Sequence, residues 1–215
     1  EVAMLAAESI LNLHPYDWWA PDGSARPWTL EIEALLQKAL ALVPDHPGAH
    51  HYRIHLQESS RHPEQGIASA DALRFRVPGS GHLSHMPAHI YLRVGRFDEA
   101  ITNYRKALVL RPDFFNSSYG IASCLDLQGK GAAARSELDA ALAKAQDDGQ
   151  RRTALFAKTV SYAFEGNFAA AQAESGRIDA RLGKTTDDAE RAAADLVTAQ
   201  QRFDARVRRS YMDGR

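Results

Sequence analysis

Histidine is concentrated in one stretch of this chain, and its spacing there suggests metal chemistry. Eight of the nine histidines lie between His46 and His89. Two groups of side chains recur at the spacing of one helix face, and they are His51, His55 and Glu58, followed by His82, His85 and His89. Neutral imidazoles and carboxylates are ligands that Zn, Fe, Mn, Cu and Ni accept in proteins. The sequence therefore predicts a transition-metal cofactor of one or two ions, without distinguishing Zn, Fe, Cu or Mn.

Such a cluster could be catalytic. Six candidate ligands can serve one ion with ligands to spare, or two ions with three each. Three protein ligands and an open position would acidify a bound water or polarise a substrate oxygen. Glu58 would then be a metal ligand, or a general base beside the water. The reaction expected is hydrolysis by an activated water, or oxidation if the ion is Cu or Fe, and whether the protein is an enzyme stays open.

Two interpretations without metal remain beside this one. The histidines could line a polar surface that binds a peptide, a protein or a small molecule, or some could be packed and hydrogen-bonded. Several imidazoles that converge without an ion repel one another once more than one or two are protonated. The alternative function is therefore an interaction scaffold whose groove holds a partner without metal.

The elements that position these side chains recur with a fixed period. Pro44, Pro78 and Pro112 are spaced by 34 residues, and each follows the end of an apolar or basic helix. Gly95 is predicted in an inter-helix turn, and small and aromatic residues follow it at helical spacing, namely Phe97, Ala100, Ile101, Tyr104, Ala107 and Leu108. Alanines let paired helices approach closely, and aromatic rings fill the gaps that remain. A period of 34 residues is that of a helix–turn–helix repeat.

This pattern resembles the tetratricopeptide-repeat family. The resemblance implies an all-α fold, a right-handed α-solenoid of helix–turn–helix repeats in a single helical domain. Its parts are N-terminal helices with a Trp-rich loop at 1–46, repeats at 47–80, 81–114, 115–148 and 152–185, and a capping helix at 186–210. The last segment opens with a capping signal and carries a polar face, as the end of a solenoid requires.

The resemblance also implies which residues face the binding groove. In this family the second, fifth, ninth and twelfth positions of a repeat usually do so, and in the first two repeats they include His51, His55, Glu58, His82, His85 and His89. In the third repeat they are Asn116, Tyr119, Ser123 and Asp126, which could orient a substrate. The loop residues Trp18 and Trp19 are further groove candidates, although the indoles could equally pack over the open end of the solenoid.

Pro87 complicates the second histidine group. If its helix begins near Ser84, Pro87 falls in the first turn and costs no hydrogen bond, and His82 lies in the lead-in. If the helix begins at Gly81, Pro87 kinks it beside the site. Other histidines have different expected roles: those at positions 14, 46 and 62 each precede a proline and suit caps or loops, and His50 points away from His51.

Two segments are similar to a subgroup of bacterial tetratricopeptide-repeat proteins with histidine-bearing helices. They run from 46 to 58, with the motif HPGAxHxxxH, and from 81 to 91, with HMPxHIY. This subgroup has no settled activity that could be expected of this chain. The resemblance therefore specifies a subgroup and not a reaction.

The rest of the composition excludes several classes. The net charge of −1 and the dispersed basic residues speak against nucleic acid, and no apolar run approaches the roughly 18 residues of a membrane span. Phosphate-binding and serine-hydrolase motifs are missing. Cys124 is the only cysteine, which leaves a cytoplasmic or periplasmic location open. Because the chain begins at Glu1, we expect it to be a piece of a longer protein.

Overall fold

Helices account for the regular structure in residues 2–182, which are the residues that the computed structural model of the chain describes. The helices are α1 (Val2–Leu13), α2 (Pro27–Leu42), α3 (Pro47–Glu58), α4 (Ile67–Leu73), α5 (Gly81–His85), α6 (Pro87–Arg93), α7 (Phe97–Leu110), α8 (Phe115–Leu127), α9 (Gly131–Lys144), α10 (Asp148–Phe164) and α11 (Phe168–Leu182). A 3-10 turn at Pro63–Gly66 precedes α4. The predicted all-α class is confirmed for these residues.

Contacts divide the chain into two compact units, Glu1–Pro112 and Asp113–Arg215. The first unit contains α1 to α7 and the whole histidine cluster, and the second contains α8 to α11. The 34-residue repeat pattern predicts a single domain and does not indicate this division.

In the N-terminal part of the first unit, each helix packs on the helix that follows it in the sequence. Helix α1 packs on α2 and α2 on α3, while α3 also contacts α6, and α5 and α6 both pack on α7. Helices α1, α2 and α3 and the loop between α1 and α2 form a core cluster of Ala7, Leu11, Trp18, Ile32, Leu36, Ala39, Ala49 and Leu56. Burial of such side chains is the main favourable contribution to folding. The core thereby fixes α3, which carries the first histidine group.

The turn between α6 and α7 matches the prediction made from its glycine. Gly95 has a φ of 81°, in the left-handed region that a residue with a Cβ adopts at a cost. Behind it, α7 buries Ala100, Tyr104 and Ala107, as the repeat pattern predicts. This pairing of α5 and α6 with α7 holds the second histidine group.

In the second unit, α8 pairs with α9, α9 with α10, and α10 with α11. Helix α10 begins at Asp148, four residues before the predicted repeat at 152, because the Asp147 carboxylate accepts a hydrogen bond from the Gln150 amide at 2.8 Å and caps the helix. The buried Lys158 ammonium contacts Asp139 of α9 and Glu174 of α11. The predicted capping helix at 186–210 lies outside the described residues.

No helix within residues 2–182 combines the length and the apolar character that crossing a membrane would need.

Candidate metal centre

Helix α3 presents the first histidine group because its start is fixed by two local signals. Pro47 occupies the first turn, where its missing N–H costs nothing, and the Nδ1 atom of His46 accepts a hydrogen bond from the Ala49 amide at 3.2 Å. His46 is therefore a cap, as its position before a proline predicts. The helix then runs unbroken, so that His51 and His55 project from one face.

The second histidine group spans a kink. Ser80 caps α5 by accepting a hydrogen bond from the Leu83 amide at 3.2 Å, so the helix begins at Gly81 and includes His82. Met86 keeps helical angles of −55° and −42°, but Pro87 lacks the N–H that would continue the hydrogen-bond ladder. Of the two starts considered for this helix, the structure therefore has the earlier one, with Pro87 kinking it.

Imidazoles of α3 and α5 meet across the two helices. The Nε2 atom of His51 lies 3.0 Å from the Nε2 atom of His82. His55 joins them, because one potential ligand atom from each of His51, His55 and His82 lies within 4.8 Å of the other two. Three imidazoles from two helices, α3 and α5, thus lie close together.

A second close pair lies deeper. The Nε2 atoms of His85 and His89 are 2.5 Å apart, and the His85 ring is almost fully buried, at 3% exposure. Ring centroids of His55 and His89 are 6.4 Å apart, and those of His82 and His85 are 6.3 Å apart. The second pair therefore adjoins the first three imidazoles.

Glu58 joins the two histidine groups. Its Oε1 atom lies 2.7 Å from Nδ1 of His55, and its Oε2 atom contacts Nδ1 of His89. The carboxylate is largely buried, at 14% side-chain exposure. All six residues predicted as ligands are thus brought together, and Glu58 approaches two of them on the Nδ1 side.

The electrostatics of the cluster favour neutral imidazoles and an ionised carboxylate. Burial and neighbouring histidines lower the pKa of His51 to about 3 and that of His85 to about 2. Burial also lowers the pKa of His82. Burial alone would raise the pKa of Glu58, but hydrogen bonds from His55 and His89 lower it to about 2. Near neutral pH the three histidines are therefore in the form that binds metals.

The nitrogen separations can be compared with those around an ion. Two imidazole nitrogens bound to one tetrahedral Zn²⁺ at 2.0–2.1 Å are about 3.3 Å apart, and cis ligands of an octahedral ion are about 3 Å apart. The distance between Nε2 atoms in the His51–His82 pair, 3.0 Å, falls near these values. The His85–His89 pair, at 2.5 Å, is closer and would open slightly around an ion.

Sequence reasoning treated Tyr104 as a packing residue only. It is buried on α7, and its ring centroid lies 5.0 Å from that of His85 and 6.4 Å from that of His89. Tyr104 thus forms part of the wall around the deeper pair. The repeat signature explains its aromatic character as packing, and no sequence signal marked it as a neighbour of the site.

The Trp-rich loop is held by backbone contacts. Trp18 is buried in the core cluster, at 4% exposure. The indole N–H of Trp19 donates to the Leu56 carbonyl at 2.9 Å, and that of Trp28 donates to the Asp17 carbonyl at 2.7 Å. Trp18 thus packs in the core, while Trp19 ties the loop to α3 next to the histidines.

The four residues predicted to continue the groove lie on α8, in the second unit. Asn116 and Tyr119 are exposed. The Ser123 hydroxyl donates to the Tyr119 carbonyl at 3.0 Å, and the Asp126 carboxylate accepts a hydrogen bond from Ser161 at 2.8 Å. The Ser123 hydroxyl and the Asp126 carboxylate therefore have partners within the unit, while the Asn116 side chain is exposed.

Comparison with known families identifies repeats in the middle of the chain. Residues 86–149 match the family model described as tetratricopeptide repeat. The match begins directly after His85, covers α6 to α9 and ends in the first turn of α10. It supports the tetratricopeptide-repeat family for this chain, although it does not include α3.

Solved structures show the same fold. The chain resembles a thermophilic TPR protein, TTC0263 of Thermus thermophilus, with a TM-score of 0.61, 17% identity, and coverage of 91% of this chain and 97% of that one. It also resembles the MamA protein, with a TM-score of 0.60, 12% identity, and coverage of 83% and 88%. At these identities the likeness concerns the fold alone, and it supports an α-solenoid of helical repeats. No curated protein matches the chain by sequence.

Proposed function

We propose that this tetratricopeptide-repeat protein binds a transition metal at the cluster formed by α3, α5 and α6. The observation that carries the proposal is the convergence of five imidazoles, with two Nε2 pairs at 3.0 and 2.5 Å. The candidate metal ligands are His51, His55, Glu58, His82, His85 and His89. The ion would be Zn, Fe, Cu or Mn, and the cluster has room in its ligand set for one or two ions.

The orientation of the nitrogens suits a metal ion as well as a hydrogen bond between two neutral imidazoles. When two neutral imidazoles face each other through Nε2, one must donate a proton and the other accept it. A bound ion uses the lone pairs of both nitrogens instead.

An ion with three imidazole ligands and an open position would support catalysis. It would acidify a bound water for hydrolysis, and Cu or Fe would support oxidation. The identity of the metal therefore decides the class of reaction. The resemblance of the histidine segments to a bacterial subgroup stays a prediction, and it adds no reaction.

Elemental analysis of the untagged protein tests the proposal. We expect at least one equivalent of a transition metal in the wild-type protein and its loss in the double variant His51→Ala, His85→Ala. His62→Ala serves as the control, because His62 lies outside the cluster and is mostly exposed. Circular dichroism verifies that each variant is folded. Metal-free wild-type protein that gains no stability and binds no ion on titration would overturn the proposal.

The repeat family itself favours a second function, an interaction scaffold. Tetratricopeptide-repeat proteins bind peptides or proteins, and the match at residues 86–149 supports this function more directly than it supports a metal. Exposed Asn116 and Tyr119 on α8 would contribute polar contacts to a partner. Peptide binding that persists after chelation but falls in Asn116→Ala and Tyr119→Ala variants would establish the scaffold without metal. The two functions are compatible in one chain.

A further inference from the structure

Glu58 is placed to act on two histidines from different parts of the fold. It is the last residue of α3, three residues after His55 on the same helix, whereas His89 belongs to α6. Oε1 contacts Nδ1 of His55 at 2.7 Å, and Oε2 contacts Nδ1 of His89. Each carboxylate oxygen is thus occupied by a different imidazole.

These two contacts determine where the imidazole protons lie. An ionised carboxylate only accepts hydrogen bonds, so each Nδ1 must carry the proton that it donates. A neutral imidazole protonated on Nδ1 has its free lone pair on Nε2. The Nε2 atom of His89 faces that of His85, which is the direction in which the cluster converges.

We infer that Glu58 is a positioning residue, which holds His55 and His89 in the tautomer whose Nε2 atom binds the metal. This inference rests on the proposed metal-binding function and deepens it. The arrangement is the carboxylate–histidine–metal relay known from many metal sites, in which the outer carboxylate orients the ring and raises its basicity. Under this inference one carboxylate serves two ligands, which is an alternative to the metal-ligand and general-base roles that the sequence predicts for Glu58.

The substitution Glu58→Gln separates this role from a general structural one. A glutamine side chain presents one oxygen and one NH₂ group. It can accept a hydrogen bond from only one of the two Nδ1–H groups, and its NH₂ group requires an acceptor at the other Nδ1. We therefore expect one of His55 and His89 to move its proton to Nε2, where it blocks coordination.

Histidine ¹⁵N NMR spectra of the metal-free protein report these tautomers directly. In the wild-type protein we expect Nδ1–H for His55 and His89. His50 is an internal control, because its Nε2 atom faces the Pro44 carbonyl at 2.9 Å and must carry the proton. Its Nε2–H signal should be the same in the wild-type protein and in Glu58→Gln, which also shows that the variant is folded.

Zinc titration by calorimetry supplies the second measurement. We expect Glu58→Gln to weaken zinc binding by about 10- to 100-fold. The matched control is Glu64→Gln, because Glu64 makes the same contact with Nδ1 of His62, at 3.0 Å, but both side chains are exposed. Zinc affinity should not change in this control.

The two measurements distinguish an error in the inference about Glu58 from an error in the proposed function. Nε2–H tautomers at His55 and His89 in the wild-type protein, or a Glu58→Gln variant with unchanged tautomers and unchanged zinc affinity, would overturn the inference about Glu58. Absence of zinc binding, and of binding of the other candidate metals, by the wild-type protein would instead overturn the proposed function.

Discussion

The Nε2 atom of His51 lies 3.0 Å from the Nε2 atom of His82, although the two residues are 31 positions apart and lie on different helices. If both bind the same ion, the effects of removing them should not add. We expect His51→Ala and His82→Ala each to weaken metal binding at least tenfold, and the double variant to lose much less than the sum of the two free-energy losses. Isothermal titration calorimetry measures this coupling.

The control is a second double-mutant cycle, which combines His51→Ala with His62→Ala. His62 is exposed and lies outside the cluster, so these two changes should add within about 0.5 kcal/mol. Additive losses in the His51–His82 cycle would contradict a shared ion.

The metal-free protein should become less stable as the pH falls below neutrality. The pKa of His51 is lowered to about 3 and that of His85 to about 2, mainly by burial. Histidines of the unfolded chain have a pKa near 6.5, so the unfolded state takes up protons first as the pH falls. We expect stability to be constant above about pH 7 and to decline toward pH 5, with a loss of at most about 2 kcal/mol per histidine at pH 5.

Urea unfolding between about pH 7.5 and pH 5 measures this dependence. His85→Gln should flatten the curve, because one buried imidazole no longer titrates. This pH window stays above the range in which protonation of Glu58, whose pKa is about 2, begins to lower the free energy of unfolding. A curve with no slope in this window would contradict the buried neutral histidines.

Replacing Pro87 should separate stability from metal binding. Pro87→Ala restores an N–H at the junction of α5 and α6, where α6 now begins with the proline. We expect the variant to be as stable as the wild-type protein or more so. The straightened helix would move His89 relative to His85 and weaken metal binding by at least tenfold. Thermal unfolding and calorimetric titration measure the two effects, and unchanged affinity would contradict a functional kink.

Two glycines of the second unit should respond to alanine in opposite directions. Gly129 has a φ of 76° in the turn between α8 and α9, and no atom within 4 Å would touch an added Cβ. Gly129→Ala therefore tests backbone strain alone and should cost about 1–2 kcal/mol.

Gly176 lies inside α11 and also has open space at its Cβ position. Gly176→Ala should stabilise the protein by up to about 1 kcal/mol, because alanine favours the helix. Urea unfolding of both variants provides the comparison, and equal effects at the two positions would contradict the assigned turn.

Periodic features of the chain could be predicted from the sequence. The 34-residue spacing of prolines predicts the repeat period, and the positive φ of Gly95 agrees with the turn placed there. The face carrying His51 and His55 followed from helix geometry, because two residues four apart on a helix project in nearly the same direction. These inferences needed only local geometry and the repeat period.

Other features depend on contacts that no single segment contains. The role of Glu58 rests on which imidazole nitrogen faces it, and that is set by the rotamers of His55 and His89 on two packed elements. The start of the helix with Pro87 was undecided, because the Ser80 cap and the proline favour different boundaries. Tyr104 lies beside the histidines because α7 packs against α5 and α6. Its position in the repeat pattern predicts only that it is buried.

The histidine cluster spans the predicted boundary between two successive repeats, since α3 lies in the predicted repeat 47–80 and α5 and α6 lie in 81–114. In repeat proteins, stability is approximately the sum of the intrinsic stability of each repeat and a coupling energy between neighbours. An ion bound by imidazoles from both repeats would add to that coupling energy, and not to either repeat alone. Metal occupancy would then set the size of the cooperative unit, so that these two repeats unfold together in the loaded protein and can fray separately once the ion is removed.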